Sequence, residues 1–178
     1  MCAMVGAVVL AAGASSRFGS PKQRLLLARV LERVRRSPSV DQIVVVAGAH
    51  DVETDARVVR CAEWERGPGS SLRCGLAELT RDAEAAIVVL ADGPMLSPEA
   101  IERVIRAWRN GAGGVVAASY GGNRGHPVLL DRSSWEAIPD EGARALSPAL
   151  VPCDDLGAPG DIDTPEDLAG RVDDAGAE

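Results

Sequence analysis

Residues 7–34 read AVVLAAGASSRFGSPKQRLLLARVLERV, and three patterns succeed one another within that stretch. Ala7 to Ala11 is a short apolar run, a length that suits a buried strand. Gly13 to Pro21 is rich in glycine and serine, and the glycines at 13 and 19 let backbone amides approach a ligand closely. Ser20-Pro21-Lys22-Gln23 then announces a helix, with a serine at the N-cap, proline at the first helical position and glutamine three residues after the cap. Leu27, Val30, Leu31 and Val34 follow at one-face spacing. A strand, a loop and a capped helix in that order begin a parallel α/β sheet, whose ligands gather at the carboxyl ends of its strands.

The rest of the chain repeats the alternation. Further strands are predicted at Gln42–Ala47, Val58–Cys61, Ala85–Ala91, Gly114–Ala118 and Pro127–Asp131, and their near-continuous apolar character predicts burial on both faces. Ser97-Pro98-Glu99 repeats the helix-start device ahead of Ile101, Val104, Ile105 and Trp108, and Thr164-Pro165-Glu166-Asp167 repeats it near the C-terminus. Another helix is predicted to start at Ser70 or Ser71, with Leu72, Leu76 and Leu79 inward. The fold class is therefore α/β: three layers, a mostly parallel sheet with helices on both faces. Residues 1–178 are expected to form one domain, with 171–178 as a flexible acidic tail.

Composition narrows the functional classes. A hydrophobic content of 46% fits a globular protein, and the apolar run Val5–Ala12 is too short to span a bilayer and lacks the flanks of a signal peptide. No membrane partner is expected, and a cytoplasmic location is. The net charge of -7 argues against nucleic acid as a partner, because backbone binding requires clustered basic residues. Cys2, Cys61, Cys74 and Cys153 contain no C-x-x-C pair, so reduced core or loop thiols are expected in preference to a zinc site or a disulfide framework.

Lys22 is the only lysine among nineteen basic residues, and arginine does not reproduce a compact ammonium on a flexible stem. Arg17 before a helix N-terminus and Lys22 in its first turn are each unfavourable by about 0.3–1 kcal/mol. A bound anion reverses that sign, and Ser15 and Ser16 add donors to the amides around Gly13 and Gly19. The plainer alternative leaves Lys22 facing solvent and Arg17 as an ordinary loop charge. The loop is neither a Walker loop nor a G-x-G-x-x-G turn.

Five more segments carry polar chemistry. Trp64–Leu76 is a glycine-rich loop entering a helix, in which Gly69, Ser70, Ser71 and Gly75 stand out; an ordinary capped loop is the alternative. Asp92-Gly93-Pro94-Met95 follows a buried strand, where a carboxylate should be solvated, paired or bound to a cation. Asp161 and Asp163 flank Ile162, so on an extended chain both point the same way and can approach one cation. Arg124-Gly125-His126-Pro127-Val128-Leu129 and Glu141-Gly142-Ala143-Arg144 complete the set.

The run Leu10–Lys22 resembles the pyrophosphorylase-type signature of nucleotidyltransferases, and the chain from residue 7 to about 169 resembles the MobA-like NTP transferase family, particularly molybdenum cofactor cytidylyltransferases. The resemblance implies transfer of a nucleoside monophosphate from CTP or another NTP to a phosphorylated acceptor, with release of pyrophosphate. It implies Arg17, Lys22 and Asp92 as catalytic residues. Leu10, Ala11, Ala12, Gly13, Ser15, Ser16, Gly19, Gly69, Ser70, Ser71 and Gly75 would bind the nucleotide, and Ala12, giving L-A-A-G, goes with cytidine in this family. Asp92, Asp161 and Asp163 would hold Mg2+, while Gly125, His126 and Arg144 would face a molybdopterin-type or other phosphorylated acceptor. A molybdoenzyme receiving the product is an implied partner. The alternatives are a sugar-1-phosphate nucleotidyltransferase and a non-catalytic nucleotide- or cofactor-binding protein. One departure concerns architecture: residues 23–27 continue the helical pattern where the family usually carries a glycine turn and a strand-like segment.

Overall fold

The computed structural model describes residues 2–13 and 20–160, with side chains from Arg24 onward in the second stretch. Strand β1 (Met4–Ala11) leads to helix α1 (Ser20–Arg35), followed by β2 (Gln42–Ala47), β3 (Arg57–Arg60), α2 (Pro68–Ala77), β4 (Ala83–Leu90), α3 (Pro98–Arg109), β5 (Val115–Tyr120), β6 (Asn123–Asp131) and β7 (Ala149–Pro152). The described strands form one seven-stranded sheet in the order β3-β2-β1-β4-β6-β5-β7. Strands β3, β2, β1 and β4 run parallel, β6 is antiparallel to both neighbours, and β7 is parallel to β5.

Alternate residues of the central strands feed two cores. Val5, Ala7 and Val9 of β1 pack with Leu27, Val30, Leu31 and Val34 of α1 and with Ile101, Val104 and Ile105 of α3. Val8 turns to the other face and packs with Val44, Val46, Leu72 and Leu76 of α2. The helices thus cover both faces, and the continuous apolar runs of β1 and β4 are explained by double burial. The edge strand β3 breaks that expectation: Val58 is 39% exposed, and among the described residues no strand or helix covers its outer side. Strand β7 was not anticipated; its alternating burial and four residues give too little apolar signal.

The helix starts differ from expectation in detail. Helix α2 begins at Pro68, ahead of Ser70, because Gly67 adopts φ 133° and turns the chain early. A Cβ at Gly67 would lie 2.4 Å from the Asp140 carbonyl oxygen, so the turn needs glycine for space as well as for conformation. Ser97 holds the N-cap position of α3 without a side-chain capping bond. Helix α1 runs unbroken through residues 23–27 to Arg35, as its sequence pattern requires.

The cysteines also correct expectation. Cys61 and Cys74 form a disulfide with a Cα–Cα distance of 5.8 Å, while Cys2 and Cys153 are free. The pairing is tertiary in origin: Cys61 follows β3, and α2 folds back over the sheet to bring Cys74 beside it. A spacing of 13 residues announces none of this.

Candidate functional site

The four parallel strands deliver their carboxyl ends to one edge of the sheet, about 4.8 Å apart from strand to strand. Leu10 and Ala11 are half-buried at the end of β1, Ala12 is 6% exposed, and Gly13 opens to solvent. Beside them the ladder extends one residue past β4, with Ala91 N–H donating to the Leu10 oxygen at 3.0 Å. Asp92 follows directly, half-buried in the turn. Leu10–Gly13 and Asp92 therefore leave the sheet side by side. Arg17, Ser15, Ser16 and Gly19 lie outside the described residues, as do Asp161 and Asp163; Lys22 lies in the first turn of α1, where only the backbone is described.

On the β2 side, Gly48 approaches so closely that a Cβ there would sit 2.7 Å from the Ala12 oxygen and 2.8 Å from Trp64 Cβ. The entrance to α2 packs onto the 138–142 segment. Gly69 N–H donates to the Asp140 oxygen at 2.9 Å, and a Cβ at Gly69 would lie 1.7 Å from the Pro139 oxygen. Arg73 and Arg66 both pair with the Asp140 carboxylate, and Arg73 also donates to the Ile138 oxygen at 2.7 Å. The Arg73 hydrogen bond, with Arg66 beside it, holds the Asp140 carboxyl below the usual range. Ser70 and Ser71 are 2% and 4% exposed, and the Ser70 hydroxyl donates to the Glu63 oxygen at 2.8 Å. Gly75 sits deeper, where a Cβ would come within 2.5 Å of Val8 Cγ1 and 2.7 Å of Val46 Cγ2. Its place is close contact between α2 and the sheet.

On the β4 side, the antiparallel β6 brings its start to the same edge, with Val88 opposite Val128. Gly93, Tyr120, Arg124, Gly125, His126 and Gly160 help to line a cavity of about 310 Å³ there. Tyr120 donates through its hydroxyl to the His126 oxygen at 2.8 Å, and burial, with Cys153 adding, pushes its pKa up to about 12. The half-buried Arg124 guanidinium donates to the Leu146 oxygen at 2.6 Å and to the Ala143 and Arg144 oxygens. All three partners are neutral carbonyls, and among the described residues no carboxylate pairs with Arg124. Burial, which disfavours the charged form, lowers its pKa. Arg144 itself is exposed and joins the site through its backbone, not among the lining side chains.

The described chain ends beside Asp92's turn. Met95 N–H donates to the Pro159 oxygen at 3.0 Å, and a Cβ at Gly93 would lie 3.5 Å from the Gly160 oxygen. Tyr120, the Asp140 clamp and the Pro159–Gly160 contact were not singled out from sequence, since each joins residues distant along the chain. Arg124 carries a hint in its motif, and its carbonyl partners emerge only from the structure. Among the described residues no group of three His, Cys, Asp or Glu gathers to hold a metal, and no helix is long and apolar enough to cross a membrane.

A family model described as the MobA-like NTP transferase domain matches residues 7–150. A 3-deoxy-manno-octulosonate cytidylyltransferase from Anaeromyxobacter sp. (strain K) is 37% identical over 119 residues, covering 60% of this chain and 48% of that protein. The bifunctional protein GlmU of Azorhizobium caulinodans is 31% identical over 160 residues, covering 75% of this chain and 35% of that protein. The chain thus spans about half the length, or less, of these curated relatives. Among solved structures, Rv0371c from Mycobacterium tuberculosis H37Rv matches with a TM-score of 0.76 at 27% identity, covering 97% of this chain and 99% of that one. Rv0371c has also been solved in complex with manganese.

Proposed function

The chain belongs to the MobA-like NTP transferase domain family, and from that premise we propose that it moves CMP from CTP to a phosphorylated acceptor of the molybdopterin type, releasing pyrophosphate. The observation that carries the reading is the juxtaposition at one sheet edge of Leu10–Gly13, the Asp92 turn and the entrance to α2. A half-buried carboxylate beside the strand end at Leu10–Gly13 suits a triphosphate and its counter-ion. The cytidylyltransferase among the relatives supports the choice of base.

Magnesium is the expected cofactor. The donor set fits it, because Mg2+ is held by one or two carboxylates, with phosphate oxygens and retained water filling its remaining positions. Asp92 would hold it, with Asp161 or Asp163 as the second ligand, and when bound it would neutralise charge on the triphosphate. The acceptor phosphate attacks the α-phosphorus in line and the pyrophosphate leaves. A phosphomonoester with a second pKa of about 6 is already ionised near neutral pH, so no catalytic base is needed. Lys22 and Arg17 offset the charge developing on the leaving pyrophosphate, and the α2 entrance orients the nucleoside. Arg124 supplies positive charge for an anionic acceptor in the cavity beside His126, and a molybdoenzyme is the expected recipient of the product.

A second reading has specific support: the octulosonate cytidylyltransferase and GlmU among the relatives favour a sugar-type acceptor. Pyrophosphate release, measured with CTP, GTP, UTP and ATP against molybdopterin and a panel of sugar phosphates, separates the two. The first reading expects release with CTP and molybdopterin, lost in Lys22→Ala. Turnover only with a sugar phosphate replaces it by the second, and full activity in Lys22→Ala removes both.

A further inference from the structure

The Cys61–Cys74 disulfide closes the segment that contains Trp64, Gly67, Gly69, Ser70 and Ser71, joining the end of β3 to the middle of α2. We propose that this pair is a reversible thiol–disulfide site whose oxidation state sets how tightly the 61–74 segment takes up a nucleotide. The ligand in this inference rests on the nucleotide reading above; the sulfur chemistry does not.

The two sulfurs differ in access. Cys61 is 1% exposed, whereas Cys74 is half-buried on α2 and offers the side open to a reductant. The thiolate of an aqueous dithiol attacks the Cys74 sulfur, breaking the bond and releasing the Cys61 thiolate. The reductant's second thiol then closes on the mixed disulfide and releases Cys74. Both cysteines end protonated, and the dithiol leaves as its cyclic disulfide, having supplied two electrons and two protons.

Reduction is felt at the first turn of α2. The Cys61 sulfur lies 3.6 Å from the Ser70 carbonyl oxygen and 3.9 Å from the Ser70 hydroxyl. A thiol there donates to a carbonyl that also serves the helix ladder toward Cys74. Leu72 and Trp64 still anchor the segment by packing, whereas its remaining ties at the α2 entrance are polar: Gly69 N–H on the Asp140 oxygen, and the partly exposed pairs of Arg66 and Arg73 with Asp140, which salt screens. The disulfide is the one covalent restraint on this segment. Without it, more of the ordering of residues 61–74 falls on the binding step, and affinity drops.

Tryptophan emission reads the segment directly. Trp108 and Trp135 donate to Asp131 and to the Leu130 oxygen near the opposite end of β6, whereas Trp64 packs on Gly48 at the carboxyl edge. The full chain, air-oxidised or reduced with dithiothreitol, is titrated with CTP and magnesium while emission and melting temperature are followed. Thiols are counted under denaturing conditions, with Cys2 and Cys153 as the pair expected in the oxidised form. The inference expects CTP binding about tenfold weaker after reduction, and Cys74→Ser and Cys61→Ala fixed at the weaker value in both conditions. Four free thiols in the oxidised sample, or affinities within about twofold in the two states, overturn the inference while leaving the nucleotide reading intact. No CTP binding in either state overturns both.

Discussion

The two sides of the carboxyl edge are built by different means. On the β1–β2–β3 side, glycines bring backbone into close contact, Gly48 against the Ala12 oxygen, Gly69 against Pro139 and Gly75 against Val8 and Val46, and Arg66 and Arg73 add their pairs with Asp140. On the β6 side, side chains do the joining: Tyr120 holds the His126 carbonyl, and Arg124 holds the Ala143, Arg144 and Leu146 carbonyls at the cavity wall. Amides recognise phosphate and sugar without regard to what is attached, whereas side chains around a cavity discriminate. Under the proposed function, nucleotide binding falls to the first side and acceptor choice to the second.

The comparison breaks if the first side fails to carry the chemistry. Lys22→Ala or Asp92→Ala is expected to lower the rate of pyrophosphate release by about 10²–10³-fold with an unchanged circular dichroism spectrum. Activity within a small factor of wild type in either variant ends the assignment. Next in size, Gly75→Val pushes a branched side chain into Val8 and Val46 and should cost about 1–3 kcal/mol in denaturant unfolding. Retained CTP affinity in that variant, where it folds, assigns Gly75 to packing; lost affinity at unchanged stability returns it to the ligand. Arg124→Met sharpens the other side: an anionic acceptor should show KM raised about tenfold, with CTP affinity unchanged and partial rescue in Arg124→Lys. An equal loss for CTP contradicts the division of labour.

The smallest effect concerns the clamp under α2. Asp140 has a depressed folded pKa, so its contribution is complete above the ordinary aspartate pKa and is lost as pH falls through the lowered one. Melting curves of wild type and Asp140→Asn should therefore differ slightly at neutral pH and low salt, and converge in acid or at high salt. A difference that persists at low pH assigns the role to the Asp140 backbone instead.

The same contrast explains what could be read from sequence. Strand β1, the body of α1 and the double burial of β4 follow from local patterns, because apolar periodicity reports on neighbours a few positions away. The Asp92 turn is legible for that reason too. Arg124's carbonyl partners, the Asp140 clamp and the Cys61–Cys74 pair are set by topology: an antiparallel β6 and a helix folded back over its own strand. Even the early start of α2 depends on Asp140, some seventy residues away, crowding Gly67.

The proposed function requires this sheet edge to bind a nucleoside triphosphate. Thermal unfolding of the full chain with each of CTP, GTP, UTP and ATP in the presence of magnesium reads that binding without needing the acceptor. The melting temperature should rise, most with CTP, and should not rise in Lys22→Ala. A melting temperature unmoved by all four nucleotides would contradict it.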